Sequence, residues 1–176
     1  HGRGIRGQEK FELADAADDA AALVQHLGVA PVITVGYSMG GPISMLLAQR
    51  HPDLVQAMVV QATALEWRST WFERLKWKTV HIIGPLLRSR LYRRWLRWGI
   101  LRLLGRNHPL EQYVPWMANE LRRNDAFSVV QAGQSLSRYD ARGWASSLAK
   151  PAASLVTTRD RLVKPSKQRA LADALK

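Results

Sequence analysis

The chain has 176 residues, which suits one domain of ordinary size. It contains no cysteine, which excludes a disulfide framework, a thiolate nucleophile and a cysteine-based zinc site. The net charge is +12, and it is concentrated in residues 68–106, which contain 11 Lys and Arg and a single acidic residue. The rest of the chain holds 15 basic and 13 acidic residues, so one segment accounts for most of the basic character. No run of about 18 apolar residues occurs, so no membrane-spanning helix is predicted.

The first third of the chain predicts an alternation of helices and strands. Apolar residues recur every three or four positions over residues 11–27, which predicts an amphipathic helix. Residues 29–37 predict a buried strand, residues 41–49 a helix and residues 56–62 a second buried strand. This order is typical of a parallel sheet wrapped by helices. The predicted fold class is therefore α/β.

The alternation stops near Trp67 and returns near residue 150. About 75 residues lack a clear strand and have mostly helical composition, including residues 112–139. A strand is then predicted over residues 152–157 and a helix over residues 165–175. We therefore expect a helical insertion between two strands of one α/β core. The predicted parts are 1–66 for the first half of the core, 67–149 for the insertion and 150–176 for the second half of the core.

The sequence Gly36-Tyr37-Ser38-Met39-Gly40-Gly41 lies between a predicted strand and a predicted helix. A G-x-S-x-G pattern in a strand-to-helix turn is typical of a nucleophile elbow, in which a sharp turn lifts a serine hydroxyl clear of the sheet. Glycines at positions 36 and 40 would let the strand and the helix approach closely. The N–H of Met39 would stabilise a developing oxyanion. The alternative is a nucleotide-binding turn, but the sequence lacks both the G-x-G-x-x-G pattern and a phosphate-loop lysine.

Residues 36–41, followed by Arg50-His51-Pro52-Asp53, resemble the elbow and the following helix of the α/β-hydrolase family. His1-Gly2-Arg3-Gly4 resembles the loop after the fourth strand of that family, and the resemblance covers residues 1–65 and 150–176. It implies a serine esterase or lipase-like hydrolase with a partial core, containing strands five to seven, and a helical cap. It also implies an internal fragment, because the chain starts inside a Gly- and Arg-rich run and stops inside a predicted helix.

In this family the acid follows the serine, and the histidine follows the acid. Asp160 begins a D-x-x-V-x-P sequence that is similar to the acid loop of the family, so the resemblance implies that Asp160 is the triad acid. Two alternatives stay open. Asp160 could be a surface residue paired with Arg159 or Arg161, or Glu66 could supply the acid instead.

No histidine follows Asp160 in this sequence. A structural role is favoured for each of the five that precede it. We therefore expect the catalytic base beyond residue 176, the second oxyanion donor before residue 1, and no activity from this chain alone. The five histidines are His1, His26, His51, His81 and His108.

The basic segment and the residue before it hold five of the seven tryptophans, at positions 67, 71, 77, 95 and 98. On a helical wheel of residues 87–98, the apolar side chains share one broad arc and most arginines lie opposite. Three interpretations compete. The helix could be a cap with a solvated basic face, it could contact an anionic membrane through residues 68–106, or it could bind nucleic acid. No motif supports nucleic-acid binding, so none is expected.

The function predicted from these residues is hydrolysis of an ester or related acyl bond in a hydrophobic small molecule, with Ser38 as nucleophile and Asp160 as acid. Acyl transfer and cofactor-free perhydrolysis use the same triad and stay open. The non-enzymatic alternative is an inactive hydrolase-like scaffold that binds a membrane or a partner. No cofactor or metal is expected, because Asp15, Asp18 and Asp19 fit a solvated helix face better than a metal site. A cytoplasmic location, with or without membrane association, is permitted.

Overall fold

The computed structural model describes residues 9–68, 111–123 and 126–176. Most of the basic, Trp-rich segment, including the helix predicted over residues 87–98, lies outside the described residues. In the described part, three strands and five helices follow one another in an α/β order. They are α1 (Leu13–Leu27), β1 (Val32–Tyr37), α2 (Gly40–Arg50), β2 (Val55–Gln61), α3 (Val114–Arg123), α4 (Ala126–Arg138), β3 (Ala152–Leu155) and α5 (Pro165–Ala174).

The chain divides into two compact units. One combines His1–Lys10 with Leu75–Gln134, and its described part contains α3, with Val114 buried, and most of α4, with Val130 buried. The other combines Phe11–Arg74 with Ser135–Lys176 and contains the whole sheet. The bounds 67–149 for the insertion stay a prediction.

The three strands form one parallel sheet in the order β1-β2-β3. Helix α2 packs against β1 and β2, and α1 packs against α2. Side chains that alternate to the covered face of the sheet, such as Met58 and Val60, are 1% exposed. Parallel strands connected through helices are the arrangement that the alternating sequence predicted.

The opposite face of the sheet differs from the sequence expectation. Ile33, Val35 and Leu155 are 59, 75 and 54% exposed. The prediction that residues 29–37 form a buried strand is therefore wrong for this face of β1 in this chain. The physical reason is that α2 packs against β1 and β2 on one face, while no described helix covers the face that Ile33 and Val35 share.

A residue distant in sequence closes the first turn of α1. The backbone N–H of Leu13 donates to Ser135 Oγ at 2.9 Å, and Ser135 Oγ donates to Glu12 Oε2 at 2.8 Å. Arg138 donates to the same carboxylate. Helix starts leave N–H groups unsatisfied, and here Ser135 supplies the acceptor that no neighbouring side chain supplies. This contact ties α1 to the end of α4.

The chain leaves β2 and returns towards β3 at two adjacent points. Glu66 and Asp140 form an antiparallel bridge, and the N–H of Ala141 donates to the carbonyl of Leu65 at 2.8 Å. The guanidinium of Arg142 pairs with Asp140 at 2.6 Å and with Glu66 at 3.4 Å. Arg142 therefore joins two carboxylates that would otherwise repel each other.

Candidate active site

Ser38 lies in the tight turn between β1 and α2. Its φ is +51°, a conformation that is uncommon for residues other than glycine and that costs on the order of 1–3 kcal/mol. Two hydrogen bonds hold it there. The N–H of Ser38 donates to the carbonyl of Gln61 at 2.9 Å, and the N–H of Gly41 donates to the carbonyl of Ser38 at 3.0 Å. The first bond connects the turn to the end of β2, so the sheet itself fixes the position of this serine.

Two glycines of the turn, Gly36 and Gly41, lie where a side chain would not fit. The sequence predicts this for Gly36 and Gly40. A Cβ built on Gly36 would lie 2.4 Å from the carbonyl oxygen of Gly40, so any side chain there would collide with backbone. A Cβ built on Gly41 would lie 2.5 Å from the side chain of Thr63. A Cβ on Gly40 would meet nothing within 4 Å. Gly36 is therefore a position with no room for a side chain, whereas Gly40 has room for one, because α2 meets Thr63 through Gly41.

Met39 stands at the N-terminal boundary of α2. Its φ and ψ of −60° and −26° are already helical, and its carbonyl accepts from the N–H of Ile43 at 3.4 Å. The first N–H groups of a helix have no intrahelical acceptor, and the helix dipole adds partial positive charge there. This end of α2 therefore favours a developing negative charge next to Ser38.

Asp160 lies in the loop after β3 and is surrounded by uncharged donors. Its Oδ1 accepts from the backbone N–H groups of Leu162 at 2.8 Å and Val163 at 3.0 Å. Its Oδ2 accepts from Thr157 Oγ1 at 3.0 Å and from Gln168 Nε2 at 3.3 Å. Burial alone would raise the pKa of Asp160, but these hydrogen bonds outweigh it, so the pKa lies below its ordinary value.

The alternative for Asp160, a surface ion pair with Arg159 or Arg161, does not match this arrangement. Arg159 and Arg161 are both exposed, and within the described ranges neither forms an ion pair with Asp160. Glu66, the other candidate acid, pairs with Arg142 and bridges to Asp140. Asp160 thus keeps a negative charge that no described cation neutralises.

Gln168 is the part of the site that sequence reasoning missed. It lies on α5, is only 3% exposed, and accepts from the N–H of Thr157 at 2.9 Å. Its Nε2 donates to the carbonyl of Val163 at 2.8 Å. In the sequence it is one polar residue in an amphipathic helix, where nothing distinguishes it from a solvated side chain.

The sheet brings Ser38 and Asp160 to the same edge. Both follow the carboxyl ends of parallel strands, β1 and β3, with β2 between them. Neighbouring strands lie about 4.8 Å apart, so the two strand ends are separated by roughly 10 Å. Ser38 directly follows β1 and Asp160 follows β3 by five residues, so both belong to loops at the carboxyl end of the sheet.

The two histidines in the described part of the chain lie elsewhere. His26 is exposed in the last turn of α1, and His51 Nε2 lies 2.7 Å from Asp18 Oδ1. Asp18 also binds Arg50, and the hydrogen bonds from Arg50 and His51 lower the pKa of Asp18 to about 2. Asp18 thus joins α1 to the end of α2 rather than only facing solvent as predicted. Within residues 9–68, 111–123 and 126–176, no group of His, Asp or Glu side chains could hold a metal ion. None of the helices in those ranges combines the length and the apolar character needed to cross a bilayer.

Comparison with known proteins places this arrangement in a family. A stretch of 44 residues is 46% identical to the sn-1-specific diacylglycerol lipase ABHD11 of Mus musculus, covering 25% of this chain and 14% of that protein. A stretch of 59 residues is 37% identical to the 2-(acetamidomethylene)succinate hydrolase of Mesorhizobium japonicum, covering 34% of this chain and 21% of that protein. An esterase structure from Exiguobacterium antarcticum is similar in fold, with a TM-score of 0.84 at 15% identity over 99% of this chain and 66% of that one.

Each of these matches spans less than two thirds of the relative's own length. The family model described as the alpha/beta hydrolase fold matches residues 1–176. The strand-to-helix elbow at Ser38, the parallel sheet and this match agree, and the chain belongs to the α/β-hydrolase fold family.

Proposed function

We propose that this chain supplies the nucleophile and the acid of a serine hydrolase that cleaves an ester or a related acyl bond. The observation that carries the proposal is the positive φ of Ser38 in a turn that Gly36 allows to close against α2. Such a turn exposes a hydroxyl at the end of a sheet, which is where a nucleophile needs to be. The names of the relatives, a diacylglycerol lipase and an esterase among them, support the same reaction class.

In the proposed reaction, Ser38 Oγ attacks the carbonyl carbon of the ester while an imidazole accepts the hydroxyl proton. The N–H of Met39 donates to the oxyanion of the tetrahedral intermediate. The intermediate collapses, the imidazolium gives its proton to the leaving alcohol, and an acyl-enzyme remains. Water, deprotonated by the same imidazole, then releases the acid and regenerates Ser38. Asp160 accepts a hydrogen bond from the imidazole and stabilises its charged form.

The imidazole and the second oxyanion donor are proposed to come from segments outside residues 1–176. The support for this is the place of the described histidines, since His51 pairs with Asp18 and His26 lies on α1, away from the sheet edge that carries Ser38. The substrate is proposed to be a hydrophobic acyl compound. Contact of residues 68–106 with an anionic membrane surface is a further proposal, and it rests on the charge and tryptophan content of that segment alone.

A fluorophosphonate probe tests the nucleophile directly, because it phosphonylates an activated serine. We expect the whole protein to be labelled and Ser38→Ala to abolish labelling. Ser44→Ala is the matched control, since Ser44 is a buried serine of the adjacent helix α2 and labelling should persist. Residues 1–176 alone are expected to show no turnover of p-nitrophenyl butyrate. Labelling that survives Ser38→Ala would overturn the proposal, and a whole protein that takes no label would favour the inactive scaffold.

A further inference from the structure

We propose that Thr157 and Gln168 form a positioning pair that fixes the Asp160 carboxylate for its imidazole partner. This inference rests on the proposed function, because it assigns a role to two residues around the proposed acid. Neither residue lies in the elbow, and Gln168 is eight positions from Asp160 on a different element. These side chains have few hydrogen atoms to donate, and this restricts which hydrogen bonds they can form.

The orientation of the Gln168 amide is determined by two backbone groups. Its Oε1 accepts from the N–H of Thr157 at 2.9 Å, and its Nε2 donates to the carbonyl of Val163 at 2.8 Å. Exchanging the two amide atoms would set a donor against a donor and an acceptor against an acceptor, in a place where the side chain is 3% exposed. The second hydrogen of Nε2 is then directed at Thr157 Oγ1, 2.8 Å away.

The bond from Gln168 leaves the hydroxyl of Thr157 free to donate to the carboxylate of Asp160. Having accepted from Gln168, Oγ1 has one hydrogen to donate, and its two nearby acceptors are Asp160 Oδ2 at 3.0 Å and Gln168 Oε1 at 3.1 Å. A bond to the charged carboxylate is the stronger of the two, and Oε1 is already satisfied by the backbone. The hydroxyl therefore donates to Asp160. A buried amide thus determines the direction of a hydroxyl, and the hydroxyl determines the rotation of the carboxylate.

One acceptor position of Asp160 stays available under this arrangement. Oδ1 accepts two backbone N–H bonds, which fill its in-plane positions. Oδ2 accepts the Thr157 hydroxyl, and the remaining contact, from Gln168 Nε2 at 3.3 Å, is the longest of the four. Both hydrogens of that nitrogen have closer acceptors. Oδ2 therefore has a single short hydrogen bond, and an imidazole N–H that reached it from outside the pair would find the rotation of the carboxylate already fixed.

The test compares Thr157→Val, which keeps the shape and removes the hydroxyl, with Thr157→Ser, which keeps the hydroxyl. For p-nitrophenyl butyrate hydrolysis by the whole protein, we expect Thr157→Val to lower kcat about tenfold or more with little change in KM. Thr157→Ser should restore most of the rate. A purely structural role predicts instead that thermal stability changes while kcat of the folded protein does not. Equal kcat values for wild type and Thr157→Val would overturn the inference.

A second readout does not depend on catalysis. A carboxyl-carbon NMR titration of Asp160 should show its pKa rising in Thr157→Val and staying near the wild-type position in Thr157→Ser. Thr157→Ala, which is smaller and cannot overpack the loop, replaces Thr157→Val if the latter does not fold. If the wild type shows no Ser38-dependent labelling, the proposed function fails, and an unchanged titration in the variants would separately show that the pair does not hold the carboxylate.

Discussion

The turn at Ser38 and the loop at Asp160 are held in their conformations in opposite ways. The conformation of the turn depends on steric exclusion of side chains. Gly36 has no room for a Cβ, and Ser38 adopts a backbone conformation that side chains disfavour. The conformation of the loop depends on hydrogen bonds to the carboxylate of Asp160. Asp160 accepts from two backbone N–H groups and from the hydroxyl of Thr157, which is bonded to the buried Gln168.

This difference explains which parts of a site can be predicted from the sequence. A steric requirement leaves glycines at fixed spacing, and these can be read directly. A hydrogen-bonding requirement leaves ordinary polar residues whose role depends on where distant elements pack. We therefore expect the turn to respond to added volume and the loop to respond to lost donors or to protonation.

The largest expected effect comes from volume added to the turn. Gly36→Ala places a methyl group 2.4 Å from the backbone oxygen of Gly40, which cannot move without displacing the start of α2. We expect a loss of about 3 kcal/mol or more in the free energy of unfolding, together with loss of probe labelling. Gly40→Ala, where the methyl group meets nothing within 4 Å, is the control and should change stability by about 1 kcal/mol or less. Urea unfolding measures both, and equal losses would contradict the steric description of the turn.

A smaller effect follows from relieving the backbone at the nucleophile. Ser38→Gly and Ser38→Ala both remove the hydroxyl, so neither should be labelled. Glycine adopts a φ of +51° without strain and alanine does not. We expect Ser38→Gly to be more stable than Ser38→Ala by about 1 kcal/mol in urea unfolding. Identical stabilities would mean that the turn stores no strain at this residue.

The smallest effect concerns protonation of the loop. The pKa of Asp160 lies below its ordinary value of 3.8 because its hydrogen bonds favour the charged form. A lowered folded-state pKa stabilises the protein above the unfolded-state pKa, and this contribution disappears as the pH falls through the folded-state pKa. The amide proton shifts of Leu162 and Val163 should therefore titrate together below pH 3.8. The amide of Ser38, bonded to the carbonyl of Gln61, should not follow them, and a common midpoint for all three would remove the distinction between turn and loop.

Much of the α/β unit could be predicted because its signals are local. The bounds of α1, β1, α2, β2, β3 and α5 agree with the sequence expectations to within three residues. Apolar periodicity identifies the helices, β-branched runs identify the strands, and the G-x-S-x-G pattern identifies the turn between them. Each of these signals lies within about a dozen neighbouring residues, where the geometry of one element decides the pattern.

The remainder depends on contacts between residues far apart in sequence. The role of Gly41 arises from Thr63, which arrives from the end of β2. The exposure of Val35 depends on which helices reach its face of the sheet, and the role of Gln168 depends on how α5 folds back onto the loop. The pairing of Asp18 with Arg50 and His51 likewise needs α1 and α2 to be side by side. The periodicity of the sequence does not show which distant residues will be in contact.

The bridge between Glu66 and Asp140 holds the two ends of the segment that connects them side by side. Residues paired in an antiparallel bridge have Cα atoms about 5 Å apart, so a short turn or a whole domain can span the gap. The entropy cost of closing a loop grows only slowly with its length. A change of length within this segment therefore need not change the register of the strands, provided that Ser135 and Arg138 keep their bonds to the start of α1.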